Sequence, residues 1–249
     1  MAKLGKGLKV EVKSTIEKTY RVKSVWKTLQ GEGLFAGRPA IFVRMVGCNL
    51  WSGYENTRER DAIRTGANCP MWCDTDFTKE GSKNYSAFEL AQEMRGEGGD
   101  INFCVITGGE PLLHIDAQLV EALHQANFFI AIETNGTVSL QESCWDEERA
   151  KLLTPDWIVC SPKLPQEQLT LEYFDELKLV LPDYHPENYN EFTQRQRQND
   201  VQSRKLPLLW LQPEDGNRLQ LATQLSINYA LENPDWRVSV QTHKILNVE

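Results

Sequence analysis

Short apolar runs alternate with stretches of helical periodicity along most of this chain, and the alternation predicts its elements. Tyr20–Leu29 reads as a strand that ends in the turn Gln30-Gly31-Glu32-Gly33. Residues 41–46 make a second strand, rich in the β-branched side chains that fit a pleated sheet. Ser86 is placed to cap a helix running through Met94, with Glu89 at the reciprocal capping-box position and Gly96, Gly98 and Gly99 to stop it. A strand over 101–106 follows, then a helix over about 116–126 with Leu119, Val120 and Leu123 on one face. Residues 128–133 form the next strand, closed by Asn135-Gly136. Further strands are predicted over Trp157–Cys160, Glu176–Leu181, 206–211 and 237–242. The Gln-rich segment 187–203 and residues 217–231 read as helices.

From residue 41 onward, strand and helix alternate, which implies parallel strands joined by crossover helices. Folds of that kind carry their chemistry at the carboxyl ends of the strands. The unusual residues fall there: Cys48, then residues 107–110, 133–135, 161–163 and 212–215. About six or seven strands are too few for a complete eight-stranded barrel, so the expected fold class is α/β, an incomplete TIM-type barrel. Residues 1–18 are expected to form a polar, partly disordered N-terminal extension, and residues 19–249 a single domain. A polar insertion over about 52–68, with the charge run Arg58-Glu59-Arg60-Asp61, reads as a solvated surface segment.

Charge narrows the classes. A formal net charge of −8 argues against broad phosphate-backbone binding, which needs clustered Lys and Arg, so no nucleic-acid partner is expected. No run of 18 apolar residues is present, so no membrane span is expected. The basic N-terminus lacks the apolar core of a secretory signal, and the expected compartment is the cytoplasm.

Six cysteines in 249 residues are too few for a disulfide scaffold and point to metal or catalysis. Cys104 and Cys160 lie in apolar strand runs and read as buried, inert thiols, and Cys144 carries no assignment. Cys48, Cys69 and Cys73 cluster. A Cys-x3-Cys pair with a third cysteine suits zinc, completed by a histidine or carboxylate, as well as it suits an iron–sulfur cluster. Four-iron clusters ordinarily take four thiolates, so three would leave one iron open to a small molecule. What tips the choice is Thr107-Gly108-Gly109-Glu110-Pro111 at the end of the next strand.

Cysteines after one strand and Gly-Gly-Glu-Pro after the next resemble the radical S-adenosylmethionine (SAM) enzymes, in which the amino and carboxylate groups of SAM chelate the open iron. The resemblance narrows on TLQGEG, RPAIFVR, GCNLWSG, CDTDF, TGGEP, ETNG, SPK, LQPED and SVQTHK, which look like the 7-carboxy-7-deazaguanine synthase family from about Val22 to the C-terminus. That resemblance implies a partial barrel of the radical SAM kind and a lyase. The implied reaction is radical ring contraction of 6-carboxy-5,6,7,8-tetrahydropterin to 7-carboxy-7-deazaguanine, with loss of ammonia, on the route to queuosine. Carried over by residue, it implies a [4Fe–4S] cluster on Cys48, Cys69 and Cys73. SAM would be held by Trp72, Cys73, Asp74, Gly109, Ser161, Pro162, Lys163, Gln212, Pro213, Glu214 and Asp215. The pterin would meet Leu29, Gln30, Gly31, Arg44 and Thr107, and Mg²⁺ would meet Thr75. A homodimer and an electron donor such as flavodoxin or ferredoxin are implied as well.

The residues suit those roles. Arg44 lies four positions before Cys48, so strand alternation puts both on one face, where a guanidinium can grip a carboxylate in fork geometry. Asp74, Thr75 and Asp76 offer only the hard oxygen donors that Mg²⁺ prefers. The match departs from its family in the Cys69-x3-Cys73 spacing, one residue longer than the usual pair, and in the Asn247-Val248-Glu249 ending, while the long gap before Cys69 differs from most radical SAM enzymes but resembles one branch of the synthase family. The insertion beside the cluster is a candidate docking face for the electron donor. Two alternatives stay open on the residues alone: a different radical SAM enzyme, such as a glycyl-radical activase, and a non-enzymatic zinc or iron–sulfur protein.

Overall fold

The computed structural model describes residues 18–195 and 206–248. The expected extension lies, but for Lys18, outside the described residues. One nine-stranded sheet organises the chain. Its first two strands, β1 (Tyr20–Leu29) and β2 (Pro39–Met45), form an antiparallel hairpin, and β3 (Lys83–Tyr85) pairs antiparallel on the outer side of β1. The remaining members are β4 (Phe103–Gly108), β5 (Phe129–Thr134), β8 (Trp157–Cys160), β9 (Glu176–Leu181), β10 (Leu208–Pro213) and β11 (Trp236–Val238). A separate small hairpin of β6 (Trp145–Asp146) and β7 (Lys151–Leu152) sits between β5 and β8 in sequence. The order is β11-β10-β9-β8-β5-β4-β2-β1-β3, and every neighbouring pair from β2 to β11 is parallel.

Strand alternation divides the sheet into two faces. Ile41, Val43 and Met45 of β2, with Ile106, Ile130, Ile132, Leu177 and Leu179, enter the larger core. Helices α2 (Ala87–Gly98) and α3 (Ala117–Gln125) cover that face through Leu90, Met94, Leu119, Val120 and Leu123. Cys104, Cys144 and Cys160 are fully buried in or beside it. The α2 helix starts on the expected capping box: Ser86 Oγ accepts the Glu89 N–H (3.2 Å) and the Ser86 N–H reaches Glu89 Oε2 (2.8 Å). It continues through Gly96 and Gly98 and stops only at Gly99. Gly98 has a packing reason, since a Cβ there would stand 2.6 Å from Ile41 Cδ1.

The opposite face lines the inside of a curved sheet. Ala40, Phe103, Val105 and Ala131 pack there with Phe42, Phe129 and Trp157. The loop between β1 and β2 folds into this concavity. Its Phe35 ring lies 5.0 Å from Phe103, 5.9 Å from Phe129 and 5.1 Å from Trp157. Farther along, the Gly33 N–H reaches Ser239 Oγ (3.3 Å) and the Thr242 N–H donates to the Gly31 carbonyl (2.9 Å). Segments attached to β1 and β11, near opposite ends of the strand order, therefore touch. The sheet curls into an α/β barrel that stays incomplete, with β11 and β3 as its edges.

Several expectations change. Crossover helices are fewer than the alternation suggests: β8 to β9 has only a 3-10 turn, Gln166–Gln168. The described part of the Gln-rich segment forms two 3-10 turns, Pro186–Tyr189 and Phe192–Gln194, and residues 196–203 lie outside the described residues. Tyr189 and Phe192, three positions apart, are both buried, and the Tyr189 hydroxyl donates to the Leu164 carbonyl (3.0 Å). That anchoring favours a three-residue repeat over an exposed α-helix. The last strand ends at Val238 because the Ser239 N–H still pairs with Leu211 but the chain then turns inward to Gly31, and Thr242–Leu246 becomes helix α6. Helices α4 (Leu140–Cys144) and α5 (Leu219–Glu232) complete the described set with α1 (Arg58–Thr65). The insertion holding α1 is packed rather than freely solvated: Asp61 is 1% exposed and accepts the Ser52 N–H (3.0 Å), and Arg58 lies 4.2 Å over Trp51.

Candidate active site

Two adjoining cavities open at the carboxyl ends of the strands, one of about 240 Å³ and one of about 360 Å³. Glu32, Asp74, Thr75, Thr107 and Glu133 line both.

Cys48, Cys69 and Cys73 all line the smaller cavity, and all are free thiols. Cys48 follows β2 through Gly47, whose φ of 89° makes the turn. Its sulfur accepts the Leu50 N–H (3.4 Å). Cys69 opens the 3-10 turn Cys69–Met71, which contains Pro70. The N–H groups of Trp72 (3.2 Å) and Cys73 (2.8 Å) both donate to the Cys69 carbonyl. This tight winding keeps Cys69 and Cys73 within one turn, and both line the same cavity.

Burial raises the Cys48 pKa against the opposing N–H groups of Leu50 and Trp51, and Glu110 and Cys73 raise it further. Burial likewise pushes Cys69 up to about 12, opposed by Lys163 and reinforced by Cys48 and Cys73. The two shifted thiols, Cys48 and Cys69, become thiolates more readily with a positive centre beside them, which is the chemistry of a metal-binding set. Among the described residues, no three His, Cys, Asp or Glu side chains converge on one ion. A zinc site needs all its ligands within about 2.3 Å of a single metal, whereas a four-iron cluster takes one thiolate per iron. Three thiols lining one cavity offer the soft sulfur donors that an iron–sulfur cluster takes.

The turn after β4 lies directly on this centre. A Cβ on Gly109 would stand 2.1 Å from the Gly47 carbonyl oxygen and 2.8 Å from Cys48 Cβ, so only glycine permits the approach. Glu110 is fully buried behind it and accepts from the Thr134 hydroxyl (2.7 Å), the Asn135 N–H (2.7 Å) and the Leu112 N–H (3.0 Å). Burial raises its pKa to about 7 in spite of those donors. Glu110 thus ties the end of β4 to the end of β5.

Trp72, Asp74, Ser161, Lys163 and Gln212 line the same cavity. Trp72 Nε1 is buried with no hydrogen-bond partner among the described residues. Lys163 Nζ donates to the Ser161 carbonyl (2.9 Å) and hydroxyl (2.6 Å). Pro162, Pro213, Glu214 and Asp215 line neither cavity. Glu214 is ion-paired with Arg218, and Asp215 with Lys244.

Leu29, Gln30, Gly31, Arg44 and Thr107 line the larger cavity. Arg44 stacks 5.0 Å from the Trp26 ring centroid, and its Nε is buried without a hydrogen-bond partner among the described residues. An unpaired guanidinium edge in a cavity is a receptor for a carboxylate. Thr75 lies on the shared wall beside Asp74, but Asp76 turns away to Lys23 (2.7 Å) and the Thr78 hydroxyl (2.7 Å). Those two partners hold its carboxyl down at about 2. Of the three oxygen donors, two remain for a cation.

Lys178, Glu32, Glu133, Gln241 and His243 also line the cavities, though the resemblance gives them no role. Lys178, 5% exposed on β9, pairs with Glu32 and lies 4.0 Å from Glu133. Gln212 (2.9 Å) and Gln241 (2.7 Å) also donate to Glu32, and Gln30 donates to Glu133 (3.1 Å). Burial opposes ionisation of Glu32, but Lys178, Gln241 and Gln212 outweigh it and hold the carboxyl at about 2. His243 closes over Gly31, where a Cβ would stand 1.8 Å from its Nδ1. One signal was readable: a lysine in the otherwise apolar strand run LKLVL is rarely buried without a partner.

An open α/β barrel whose mouth sets three cysteines against a glycine turn defines a radical SAM protein. No protein-family model matches the chain. Curated relatives do: the 7-carboxy-7-deazaguanine synthase of Burkholderia multivorans is 40% identical, covering 92% of this chain and 99% of its own. Those of Bradyrhizobium diazoefficiens and Bordetella pertussis are 39% and 38% identical over the same shares. The crystal structure of QueE from Escherichia coli superimposes with a TM-score of 0.63 at 25% identity, covering 90% of this chain and 94% of that one. The chain belongs to the 7-carboxy-7-deazaguanine synthase family.

Proposed function

We propose that this chain is a radical SAM lyase that converts 6-carboxy-5,6,7,8-tetrahydropterin to 7-carboxy-7-deazaguanine and ammonia, a step toward queuosine and related deazapurines. The observation that carries the reading is the joining of the cavities: the cysteine-lined one meets the Arg44-lined one along Thr107, Thr75 and Glu133.

Cys48, Cys69 and Cys73 would hold a [4Fe–4S] cluster, with one iron left to SAM. When bound, the cluster and SAM would supply one-electron radical chemistry toward the substrate. The chain's own part is binding, orientation and exclusion of water. Trp72, Asp74, Gly109, Ser161 and Lys163 present the groups for SAM, with Pro162 and the turn of residues 212–215 around them. Glu214 and Asp215 would reach it only by leaving Arg218 and Lys244. Arg44 pairs with the substrate carboxylate, and Leu29, Gln30, Gly31 and Thr107 form the rest of that wall. The Thr75 hydroxyl and Asp74 offer a Mg²⁺ ion two oxygen donors, with water for the remainder.

Residues 19–249 act as one catalytic unit, working as a homodimer in the cytoplasm and reduced by a flavodoxin or ferredoxin. The net charge of −8 supports a small-molecule substrate over a nucleic acid. No helix among the described residues is long and apolar enough to cross a membrane.

The test is anaerobic turnover. Protein purified without oxygen, supplied with SAM, reductant and the carboxytetrahydropterin, is expected to yield the deazaguanine product by mass spectrometry. A colourless, zinc-loaded protein would sink the cluster assignment. An iron–sulfur protein that cleaves SAM yet leaves the pterin untouched would sink the substrate assignment alone.

A further inference from the structure

Two lysines flank the cavities, Lys178 buried and Lys163 half-buried, and they differ in partners. Lys178 is matched by Glu32 and Glu133. Lys163, among the described residues, has hydrogen bonds only to the carbonyl and hydroxyl of Ser161, both neutral. Its ammonium stands 5.7 Å from the Trp72 ring centroid and 5.5 Å from that of Tyr184. The rings themselves meet edge to face, with centroids 6.5 Å apart. Lys163 shares the smaller cavity with all three clustered cysteines. Burial lowers its pKa, and Cys69 and Cys73 are among the groups that oppose the shift.

We propose that Lys163 sets the reduction potential of the cluster, as a fixed positive charge held beside Cys69 and Cys73 by the rings of Trp72 and Tyr184. This rests on the reading of those cysteines as cluster ligands. One-electron reduction adds a negative charge to the cluster and changes no bond at Lys163. The electron comes from an external low-potential one-electron donor. A cation in the same desolvated cavity stabilises the more negative state, because Coulomb attraction is stronger where water is scarce. Net charge, hydrogen bonds to sulfur and solvent exposure are the levers that spread cluster potentials. The two aromatic faces favour the ammonium and keep it from swinging out to solvent. Lys163 is thus a positioning residue for charge, in addition to any contact it makes with SAM.

The measurement is a redox titration of the reconstituted cluster, followed by electron paramagnetic resonance without SAM, so that altered SAM binding cannot move the value. Lys163→Met is expected to lower the reduced-to-oxidised ratio at a given poise about tenfold, a shift of about 59 mV for a one-electron couple. Lys163→Arg, which keeps the charge, is expected to stay close to the unaltered protein. A full cluster in Lys163→Met with an unchanged potential overturns the proposal. Where Lys163→Met takes up no iron, Lys163→Gln is read the same way. Loss of the cluster in both neutral variants, with Lys163→Arg retaining it, makes the lysine an assembly residue and likewise overturns it. Absence of iron and sulfide from the unaltered protein overturns the ligand reading instead.

Discussion

The two faces of the sheet use the same strands for opposite ends. On β4, Cys104 and Ile106 point into the helix-covered core, while Phe103 and Val105 line the barrel interior and Thr107 reaches its mouth. On β9, Leu177 and Leu179 join the core, and between them Lys178 faces the carboxylates of Glu32 and Glu133. The outer face is stabilised by area removed from water, which is nondirectional. The inner face adds a small aromatic cluster, but its mouth is held by paired charges and hydrogen bonds, each of which fails if one member is lost. Changes outside should cost folding with little effect on chemistry, and changes at the mouth should do the reverse.

The sharpest break lies at the cysteines. Cys48→Ala is expected to abolish iron binding and SAM cleavage together while the folded content, read by circular dichroism, stays near normal. A variant that keeps full iron content would remove Cys48 from the ligand set.

Below that stands a contrast between faces. Ile106→Ala, outside, should destabilise by about 2–5 kcal/mol through transfer and cavity terms, with turnover per folded molecule unchanged. Lys178→Met, inside, should cost about 3–5 kcal/mol because it strands Glu32, and should also impair turnover. Denaturant melts beside specific activity decide the pair; equal activity loss in both would erase the division.

Arg44→Ala should weaken pterin binding by about 1.5–3 kcal/mol, the range for hydrogen bonds to charged groups, or roughly 10- to 150-fold in KM. SAM cleavage without pterin should be spared. Normal substrate affinity would end its assigned role.

The smallest effect is a pH response. The folded-state pKa of Glu32 is depressed from 4.5 to about 2. Its contribution is therefore complete above the unfolded value and is lost as pH falls from 4.5 toward 2. Glu32→Gln should flatten the acid limb of the stability curve in that window. An acid limb unchanged by the substitution would show that the pair with Lys178 does not govern it.

Most strands and the capping of α2 were legible because they depend on neighbours within a few residues. The β1, β8 and β9 bounds agree with the periodic pattern, and Ser86 and Glu89 make the reciprocal cap that their spacing predicts. Chemistry-bearing residues were legible where they stood out by type, as with Cys48 and the glycine turn before Glu110. The short edge strand β3 and the hairpin of β6 and β7 were not, since two or three residues carry too little periodicity. The 3-10 turns at 186–194 escaped because the burial of Tyr189 and Phe192, not local propensity, sets them.

The amino-acid order by itself determined the parallel α/β plan, the three thiols, the glycine turn and the family, all properties of residue type and short spacing. Tertiary structure alone decided that the β1–β2 loop fills the barrel, that Glu32 meets Lys178 146 residues away, and that Asp76 leaves Thr75 for Lys23. The physical reason is range. Alternation is set by the pleat of each strand, whereas the meeting of distant charges depends on how far the whole sheet curls.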